Sequence, residues 1–285
     1  MKIGIARDRF SQQNRWGEEF YKKMKEFGYD CIDFQLMDTT KEIYALPQEE
    51  AEALLRKERA LAEVAGMTVH QVHGPWRSPQ DATEEDRAER MEKMQRSIRM
   101  AAALGAKFWI IHPIMPFGLG DRGTEQAKQT WELNLGFMRK LLETAKEVGV
   151  TICLENMPFL NFSISTPAEI AKFIREIDDE NFQMCFDTGH TEAFFKEKVG
   201  VALREVGEFV RVFHIHDSRF GQDRHALPYE GVIDWADFSK ALREIGFDGV
   251  FSLECEPGVK TPQPMYDTLW KTLAEIADAI ANGEK

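Results

Sequence analysis

The sequence contains few cysteines and no long apolar segment. Its four cysteines, Cys31, Cys153, Cys185 and Cys255, are far apart along the 285 residues, and no CxxC pair occurs. Each lies in an apolar, strand-like run, which favours buried reduced thiols over a disulfide framework. The first residues, MKIGIARDRF, lack the apolar core of a signal peptide, and no apolar run reaches transmembrane length. We therefore expect a cytoplasmic protein without a membrane-spanning segment.

Basic side chains are outnumbered by acidic ones. The chain has 36 lysines and arginines against 48 aspartates and glutamates, which gives a formal net charge of −12. Such a charge disfavours non-specific binding of nucleic acid, because that binding depends on neutralising phosphates. No segment rich in proline, glycine and serine interrupts the sequence, so we expect residues 1–285 to form a single domain.

Short apolar runs alternate with long amphipathic segments eight times. The predicted strands are Lys2–Ala6, Cys31–Gln35, Thr68–His73, Phe108–His112, Thr151–Glu155, Gln183–Asp187, Val210–His216 and Val250–Glu254. The predicted helices are Gly17–Phe27, Pro47–Ala65, Glu84–Leu104, Glu125–Glu147, Pro167–Ile177, Thr191–Val206, Trp235–Ile245 and Pro264–Ile280. This alternation predicts an α/β fold with a parallel sheet, and eight units in about 250 residues or more predict a (β/α)8 TIM barrel. A doubly wound open sheet is the alternative, but no GxGxxG follows the first strand.

Six consecutive predicted strands end in an ionisable side chain on the inward face. These residues are His73, His112, Glu155, Asp187, Glu254 and either His214 or His216. Active sites of such barrels form at the C-terminal ends of the strands. Carboxylates that converge there repel one another unless they share a proton or a cation. Mixed imidazole and carboxylate donors suit Mn²⁺, Zn²⁺, Co²⁺ or Fe²⁺ better than Ca²⁺, so the pattern predicts a divalent-metal site, with an ion-pair network as the alternative.

Five motifs resemble those of a known superfamily. They are LEN (154–156), FDTGH (186–190), HIHDS (214–218), DRHALPYEGVIDW (223–235) and LECEP (253–257). In this order they resemble the xylose-isomerase-like TIM barrels, which include sugar phosphate isomerases and epimerases and the endonuclease IV-type nucleases. In the sugar branch four ligands from the last four strands hold one metal, which implies Glu155, Asp187, His214 and Glu254 here. His214 is preferred to His216 because it precedes an acidic residue, Asp217, by three positions.

The resemblance also implies a reaction. A metal would chelate the carbonyl and a neighbouring hydroxyl of a sugar and stabilise the enediolate. One of Glu155 and Glu254 would remove the proton, and the other would return it. Mn²⁺ is the expected ion, with Co²⁺, Mg²⁺ and Zn²⁺ as alternatives. The expected enzyme is an isomerase or epimerase of a sugar, keto-sugar or inositol derivative; a lyase, a dehydratase or a C-glycoside-cleaving enzyme is the alternative on the same site.

Further residues are assigned to the substrate. They are His73, His112, His190, His216, Trp16, Trp76, Asp223 and His225, and His216 is also a candidate ligand of a second metal. Aromatic rings suit stacking on the apolar face of a sugar or of an attached aglycone. The expected partner is therefore a small carbohydrate. The sequence leaves the oligomeric state open, and a homo-oligomer is one of the outcomes.

The nuclease branch of the superfamily is the competing interpretation. Its three-zinc cluster has additional ligand positions that match His73, His112, His190, Asp223 and His225. Two motifs depart from that branch: its ENTAG is ENMPF here (155–159), and its DTCH is DTGH (187–190). The arginine that ketose 3-epimerases place six residues after the ligand histidine is Phe220 in this chain. The departures favour the sugar branch and argue against a simple ketose 3-epimerase, and the number of bound metals separates the two branches.

Overall fold

Eight parallel strands form one sheet in the computed structural model, which describes residues 1–8, 16–76, 82–258 and 260–283. The strands are β1 (Lys2–Arg7), β2 (Cys31–Gln35), β3 (Thr68–His73), β4 (Phe108–Ile111), β5 (Thr151–Glu155), β6 (Phe182–Asp187), β7 (Val210–His214) and β10 (Val250–Leu253). Their order is β10-β1-β2-β3-β4-β5-β6-β7. Ile215 joins the two edges, since its N–H donates to the Ser252 carbonyl and its own carbonyl accepts from Glu254 N–H, both at 2.9 Å. The predicted (β/α)8 barrel is confirmed.

Helices follow the strands on the outside of the barrel. They are α1 (Phe20–Phe27), α2 (Glu42–Ala45), α3 (Gln48–Val64), α4 (Glu84–Ala103), α5 (Gln126–Val148), α6 (Pro167–Ile177), α7 (Thr188–Phe195), α8 (Val199–Val206), α9 (Trp235–Glu244) and α10 (Gln263–Asn282). Helix α6 begins as predicted: Glu169 N–H donates to Thr166 Oγ1 at 3.2 Å, and the Glu169 carboxylate accepts from Thr166 N–H at 2.9 Å. Within the described ranges, every helix is too short or too polar to cross a bilayer.

One predicted helix is two helices in the structure. The sequence pattern predicts a helix over Thr191–Val206, whereas α7 ends at Phe195 and α8 begins at Val199. Lys196 adopts the left-handed conformation with φ 57°, which stops the helix. Helix α7 also begins earlier than predicted, because the Asp187 carboxylate accepts from His190 N–H at 2.7 Å and caps its first turn.

A short hairpin follows β7, in a segment for which neither strand nor helix was predicted. The strand predicted over Val210–His216 ends at His214, and β8 (Asp217–Arg219) then pairs with β9 (Gln222–Ala226) as an antiparallel hairpin. Gly221 lies between them with φ 69°, a conformation that favours glycine. This hairpin carries Asp223 and His225 towards the axis of the barrel.

The interior of the barrel has an apolar half and a polar half. Ile110, Cys153, Cys185 and Val212 from β4 to β7 form a small buried cluster. On the other side, Asp33, Gln71 and Ser252 from β2, β3 and β10 are buried as well. The four cysteines are free, buried thiols, as predicted. Three of the predicted ligands, Glu155, Asp187 and His214, follow the apolar half at the ends of β5, β6 and β7, and Glu254 follows the polar half after β10.

Candidate active site

The four predicted metal ligands converge at the C-terminal end of the barrel. Glu155, Asp187 and His214 are the last residues of β5, β6 and β7, and Glu254 directly follows β10. One donor atom from each lies within 4.8 Å of the other three. Neighbouring parallel strands bring the first three together, and the Ile215 bridge brings Glu254 beside them. The first three side chains are buried, and Glu254 is half-buried.

His214 lies at the centre of this group. Its Nδ1 is 3.0 Å from Glu155 Oε1 and 3.2 Å from Glu254 Oε2. Its Nε2 points the other way, 3.0 Å from Asp33 Oδ2 inside the barrel. A carboxylate behind a histidine holds the ring orientation and determines which nitrogen faces the ligand site. Asp33 was not among the predicted site residues, because its only signal in the sequence was an acidic residue within the apolar run CIDFQ of β2.

Glu155 connects this group to two further histidines. Its Oε2 lies 3.0 Å from His112 Nε2 and 3.5 Å from His73 Nε2. Burial alone would raise the pKa of Glu155, but His214 and His112 hold it well below its usual range. Burial lowers the pKa of His112 to about 4, against the opposing effect of Glu155. Glu155 is therefore an ionised carboxylate whose Oε1 lies beside His214 and whose Oε2 lies beside His112 and His73.

A third group of donors lies beside the first. His190, His216, Asp223 and His225 each offer an atom within 4.8 Å of the others. Asp223 lies between two of these histidines, 3.3 Å from His190 Nε2 and 3.5 Å from His225 Nε2. Burial alone would lower the pKa of His190, but Asp187 and Asp223 raise it to about 9. The hairpin β8–β9, which the sequence analysis did not predict, brings Asp223 and His225 to this position.

Asp217 anchors the segment that carries those two residues. Its buried carboxylate accepts hydrogen bonds from the backbone of Ser218 (2.9 Å), Tyr229 (3.1 Å), Val232 (3.0 Å) and Ile233 (3.3 Å) and from Trp235 Nε1 (3.0 Å). A Cβ atom on Gly231 would lie 2.1 Å from Asp217 Oδ1, so the backbone passes close to the carboxylate. The hydrogen bonds of Asp217 therefore hold the segment that carries Asp223 and His225 in place over the site.

A cavity of about 500 Å³, the central cavity, opens above the predicted ligands. Its lining includes Glu155, Glu254 and six of the predicted substrate contacts: His73, Trp76, His112, His190, Asp223 and His225. Met37, Met157, Phe159 and Phe194 supply an apolar wall. The cavity thus presents imidazoles and carboxylates on one side and carbon surface on the other, as small-molecule sites commonly do.

The other two predicted substrate contacts lie outside the lining of the central cavity. His216 is buried behind Asp187, with its Nε2 3.0 Å from Asp187 Oδ2. Trp16 stacks on Tyr266, with ring centroids 5.3 Å apart and planes at 26°, and lines a neighbouring cavity. In this arrangement His216 supports Asp187, and Trp16 packs between the first and last helices and also lines the neighbouring cavity.

The donor set fits a divalent cation. Glu155, Asp187 and Glu254 place three carboxylates around one imidazole in a largely buried site. Like charges this close repel one another, and a cation among them removes the repulsion. Oxygen donors with one imidazole nitrogen suit Mg²⁺, Mn²⁺, Co²⁺ or Zn²⁺. The chemistry of these side chains is therefore compatible with a divalent metal.

Comparison with known proteins finds sugar epimerases and nucleases among the relatives. A D-psicose 3-epimerase of Ruminiclostridium cellulolyticum is 28% identical over 158 residues, 54% of this chain and 51% of that protein. A probable endonuclease 4 of Mycoplasmopsis agalactiae is 25% identical over 189 residues, 60% of this chain and 63% of that protein. The chain thus spans about half to two thirds of the length of these two relatives.

Solved structures show the same fold. A D-psicose 3-epimerase crystallised in the presence of D-fructose superposes with a TM-score of 0.76 at 18% identity over all of both chains. A protein named IOLI, whose crystal structure contains a zinc atom, superposes with a TM-score of 0.74 at 18% identity over 99% of this chain and 98% of that one. At such identities the likeness establishes the architecture.

The family is established by sequence. A sequence model described as the xylose isomerase-like TIM barrel matches residues 21–279. That match includes every strand from β2 to β10 and all four predicted metal ligands. The chain therefore belongs to the family of xylose isomerase-like TIM barrels.

Proposed function

We propose that this chain is a divalent-metal-dependent isomerase or epimerase acting on a sugar, a keto-sugar or an inositol derivative. The observation that carries the proposal is that Glu155 and Glu254 each place a carboxylate oxygen beside His214 Nδ1, at 3.0 and 3.2 Å. Both glutamates also line the central cavity. Two carboxylates that face one small ligand can remove a proton from one position and return one to another. The D-psicose 3-epimerases among the relatives support the same class of reaction.

The side chains of the central cavity have complementary tasks. Glu155, held as a carboxylate, is the candidate base, and Glu254 is the candidate partner for the return of the proton. His112 and His190 are placed to hydrogen-bond sugar oxygens, and Phe159 and Phe194 reduce the access of water. A bound divalent cation, with Mn²⁺ as the proposed ion and Co²⁺, Mg²⁺ or Zn²⁺ as alternatives, would supply positive charge that acidifies a C–H bond beside a carbonyl.

Deuterium exchange tests this proposal. We expect the Mn²⁺-supplemented protein in deuterated buffer to incorporate deuterium beside the carbonyl of at least one member of a panel of ketoses, 3-keto-glycosides and inososes, as seen by NMR. The product then distinguishes isomerisation and epimerisation from a lyase, dehydratase or C-glycoside-cleaving reaction, which begins with the same proton abstraction.

Two glutamine variants identify the acid and the base. Glu155→Gln and Glu254→Gln should each abolish the exchange, because an amide cannot accept the proton. Glu132→Gln is the matched control, since Glu132 is a surface residue of α5 whose carboxylate lies 3.8 Å from Lys128 Nζ. Exchange that persists in both site variants, or its absence across the whole panel, contradicts the proposal.

A Zn²⁺-dependent nuclease acting at abasic sites is the second candidate. Two additional groups of possible metal ligands favour it. One group is His73, His112 and Glu155, and the other is His190, His216, Asp223 and His225. The apolar wall of the central cavity and the net charge of −12 favour a small neutral ligand instead. Metal analysis separates the two: one metal per chain supports the sugar chemistry, whereas three tightly held zinc ions with cleavage of an abasic duplex establish the nuclease.

A further inference from the structure

A second cavity lies beside the central one. It has a volume of about 450 Å³ and lies at the C-terminal ends of β1, β2 and β10. Glu254 and His225 line both cavities, so the two adjoin at these residues. We call this second space the side cavity. A ligand held at Glu254 has room to extend from the central cavity into it.

We propose that the side cavity binds a second, uncharged sugar ring or polyol that is attached to the sugar reacting in the central cavity. The proposal rests on the sugar isomerase or epimerase function proposed above. It narrows the substrate from a free monosaccharide to a glycoside. Unpartnered polar groups, an aromatic wall and the distribution of charge each support it.

Two residues of the side-cavity lining, Gln35 and Trp270, carry buried polar groups without partners. Trp270 is 2% exposed, and its Nε1–H donates to no atom of the described residues. The side-chain amide of Gln35 is likewise buried, and within the described ranges neither its Oε1 nor its Nε2 has a hydrogen-bond partner. Buried polar groups are ordinarily paired. Together they offer two donors and an acceptor, the pattern that the hydroxyl groups of a sugar, which both donate and accept, can match.

Aromatic rings form one wall of the side cavity. Trp16 stacks on Tyr266 and meets Trp270 edge to face, with centroids 5.3 and 5.9 Å apart. Trp270 is held in turn by Tyr29, whose hydroxyl donates to its backbone carbonyl at 3.0 Å. A fixed aromatic wall gives a sugar ring an apolar surface on which to pack with little loss of side-chain freedom.

The charges around the side cavity favour a neutral ligand. Three carboxylates, Asp8, Glu254 and Glu256, line it, and so do the basic side chains of Arg224 and His225. Arg7 also lines it, but its guanidinium lies 3.8 Å from Glu58 and stacks over the ring of Phe20 at 4.1 Å. A phosphate or carboxylate bound here would face three acidic and three basic side chains, so the lining offers an anionic ligand no net attraction.

Equilibrium binding tests the proposal without turnover. The Mn²⁺-supplemented protein is titrated with sucrose and maltose as two-ring probes, D-fructose as a one-ring probe and D-fructose 6-phosphate as an anionic probe, with calorimetric detection. We expect at least one disaccharide to bind more tightly than fructose. Gln35→Leu and Trp270→Phe should each weaken disaccharide binding by about three- to tenfold, the effect of one lost hydrogen bond, and leave fructose binding unchanged.

Gln183→Leu is the matched control. Gln183 lies near the start of β6, at the opposite end of the barrel, and belongs to the lining of neither cavity. The proposal is overturned if no disaccharide binds more tightly than fructose, or if the two variants weaken disaccharide and fructose binding equally. It is also overturned if fructose 6-phosphate binds more tightly than the disaccharides. These results concern the side cavity alone, whereas absence of deuterium exchange with every substrate refutes the proposed chemistry.

Discussion

Gly189 makes room for the imidazole of His216: a Cβ atom at position 189 would lie 2.0 Å from His216 Cε1. The imidazole is fixed on its other side, because its Nε2 lies 3.0 Å from Asp187 Oδ2. The glycine of the DTGH motif, the second histidine of HIHDS and the candidate ligand Asp187 therefore form one packed unit. A side chain at position 189 must displace the ring that supports Asp187.

We expect Gly189→Ala to weaken metal binding. Loss of a residue that orients a metal ligand commonly lowers affinity about 10–100-fold, and the displaced His216 no longer supports Asp187. Competition with a chromogenic chelator for Mn²⁺ or Zn²⁺ measures the change. Gly136→Ala is the control: it lies in α5 with no atom within 4 Å of the added Cβ, so it should keep the affinity and raise helix stability by about 0.5–1 kcal/mol. Equal affinities of the two variants would show that Asp187 does not depend on His216.

Asp33→Asn should also reduce metal affinity, by about tenfold or more. Asp33 Oδ2 lies 3.0 Å from His214 Nε2 and accepts from Gln71 Nε2 at 3.0 Å. The amide oxygen of asparagine can occupy that place, but it lacks the negative charge that makes the His214 imidazole a stronger metal ligand. The same chelator competition detects the effect, with Asp248→Asn, an exposed carboxylate at the other end of the barrel, as the control. If the metal affinity of Asp33→Asn equals that of the wild type, the charge of Asp33 has no role in supporting His214.

The contrast between Glu155 and Asp33 shows what the sequence could predict. Side chains alternate along a strand, so the direction of a strand's last residue follows from the apolar pattern, and barrel geometry brings such residues together. Asp33 lies in the middle of β2, where an acidic residue is expected to face solvent, and its partner His214 is far away in sequence. Its role depends on barrel closure, which no local pattern contains.

The hairpin β8–β9 was missed for a related reason. Its strands are short and carry few β-branched residues, so local propensity does not indicate them. Its position is set by hydrogen bonds between Asp217 and backbone groups as far along the chain as Ile233. The stacking of Trp16 on Tyr266 of the last helix likewise depends on the tertiary fold, and the assignment of Trp16 to the substrate stays a prediction.

Asp217→Asn is expected to lower the free energy of unfolding by about 2–3 kcal/mol. The carboxylate accepts hydrogen bonds on both oxygens, with Val232 N–H on Oδ1 and Trp235 Nε1–H on Oδ2. Asparagine must direct its NH₂ group at one of these sets of donors. Denaturant unfolding of metal-free protein measures the loss. Asp237→Asn is the control: it removes a half-exposed ion pair with Arg204 and should lower the free energy of unfolding by less than about 1 kcal/mol. An equally small loss for Asp217→Asn would mean that water replaces the hydrogen bonds of its carboxylate.

His70 gives the protein a specific sensitivity to acid. The side chain lies on β3 near the N-terminal end of the barrel, its ring packs against Phe108 with centroids 5.1 Å apart, and its Nε2 has no hydrogen-bond partner among the described residues. Burial lowers the pKa of His70 to about 4; Asp33 opposes this shift, and Lys107 and Lys2 add to it. The folded protein therefore holds this imidazole neutral at pH values where an exposed histidine is protonated.

The sign of the effect follows from proton linkage. Between pH 6.5 and about 4 the unfolded chain binds a proton at His70 that the folded chain does not, so the contribution is present at neutral pH and is lost as the pH falls. His70→Gln removes this difference. We expect the free energy of unfolding of the wild type to fall by about 2–3 kcal/mol more than that of the variant between pH 7 and pH 4.5. Denaturant titrations of the metal-free proteins at both pH values compare the two, and shifts from other groups cancel in the comparison. Parallel pH profiles would mean that His70 is already protonated in the folded state at pH 4.5.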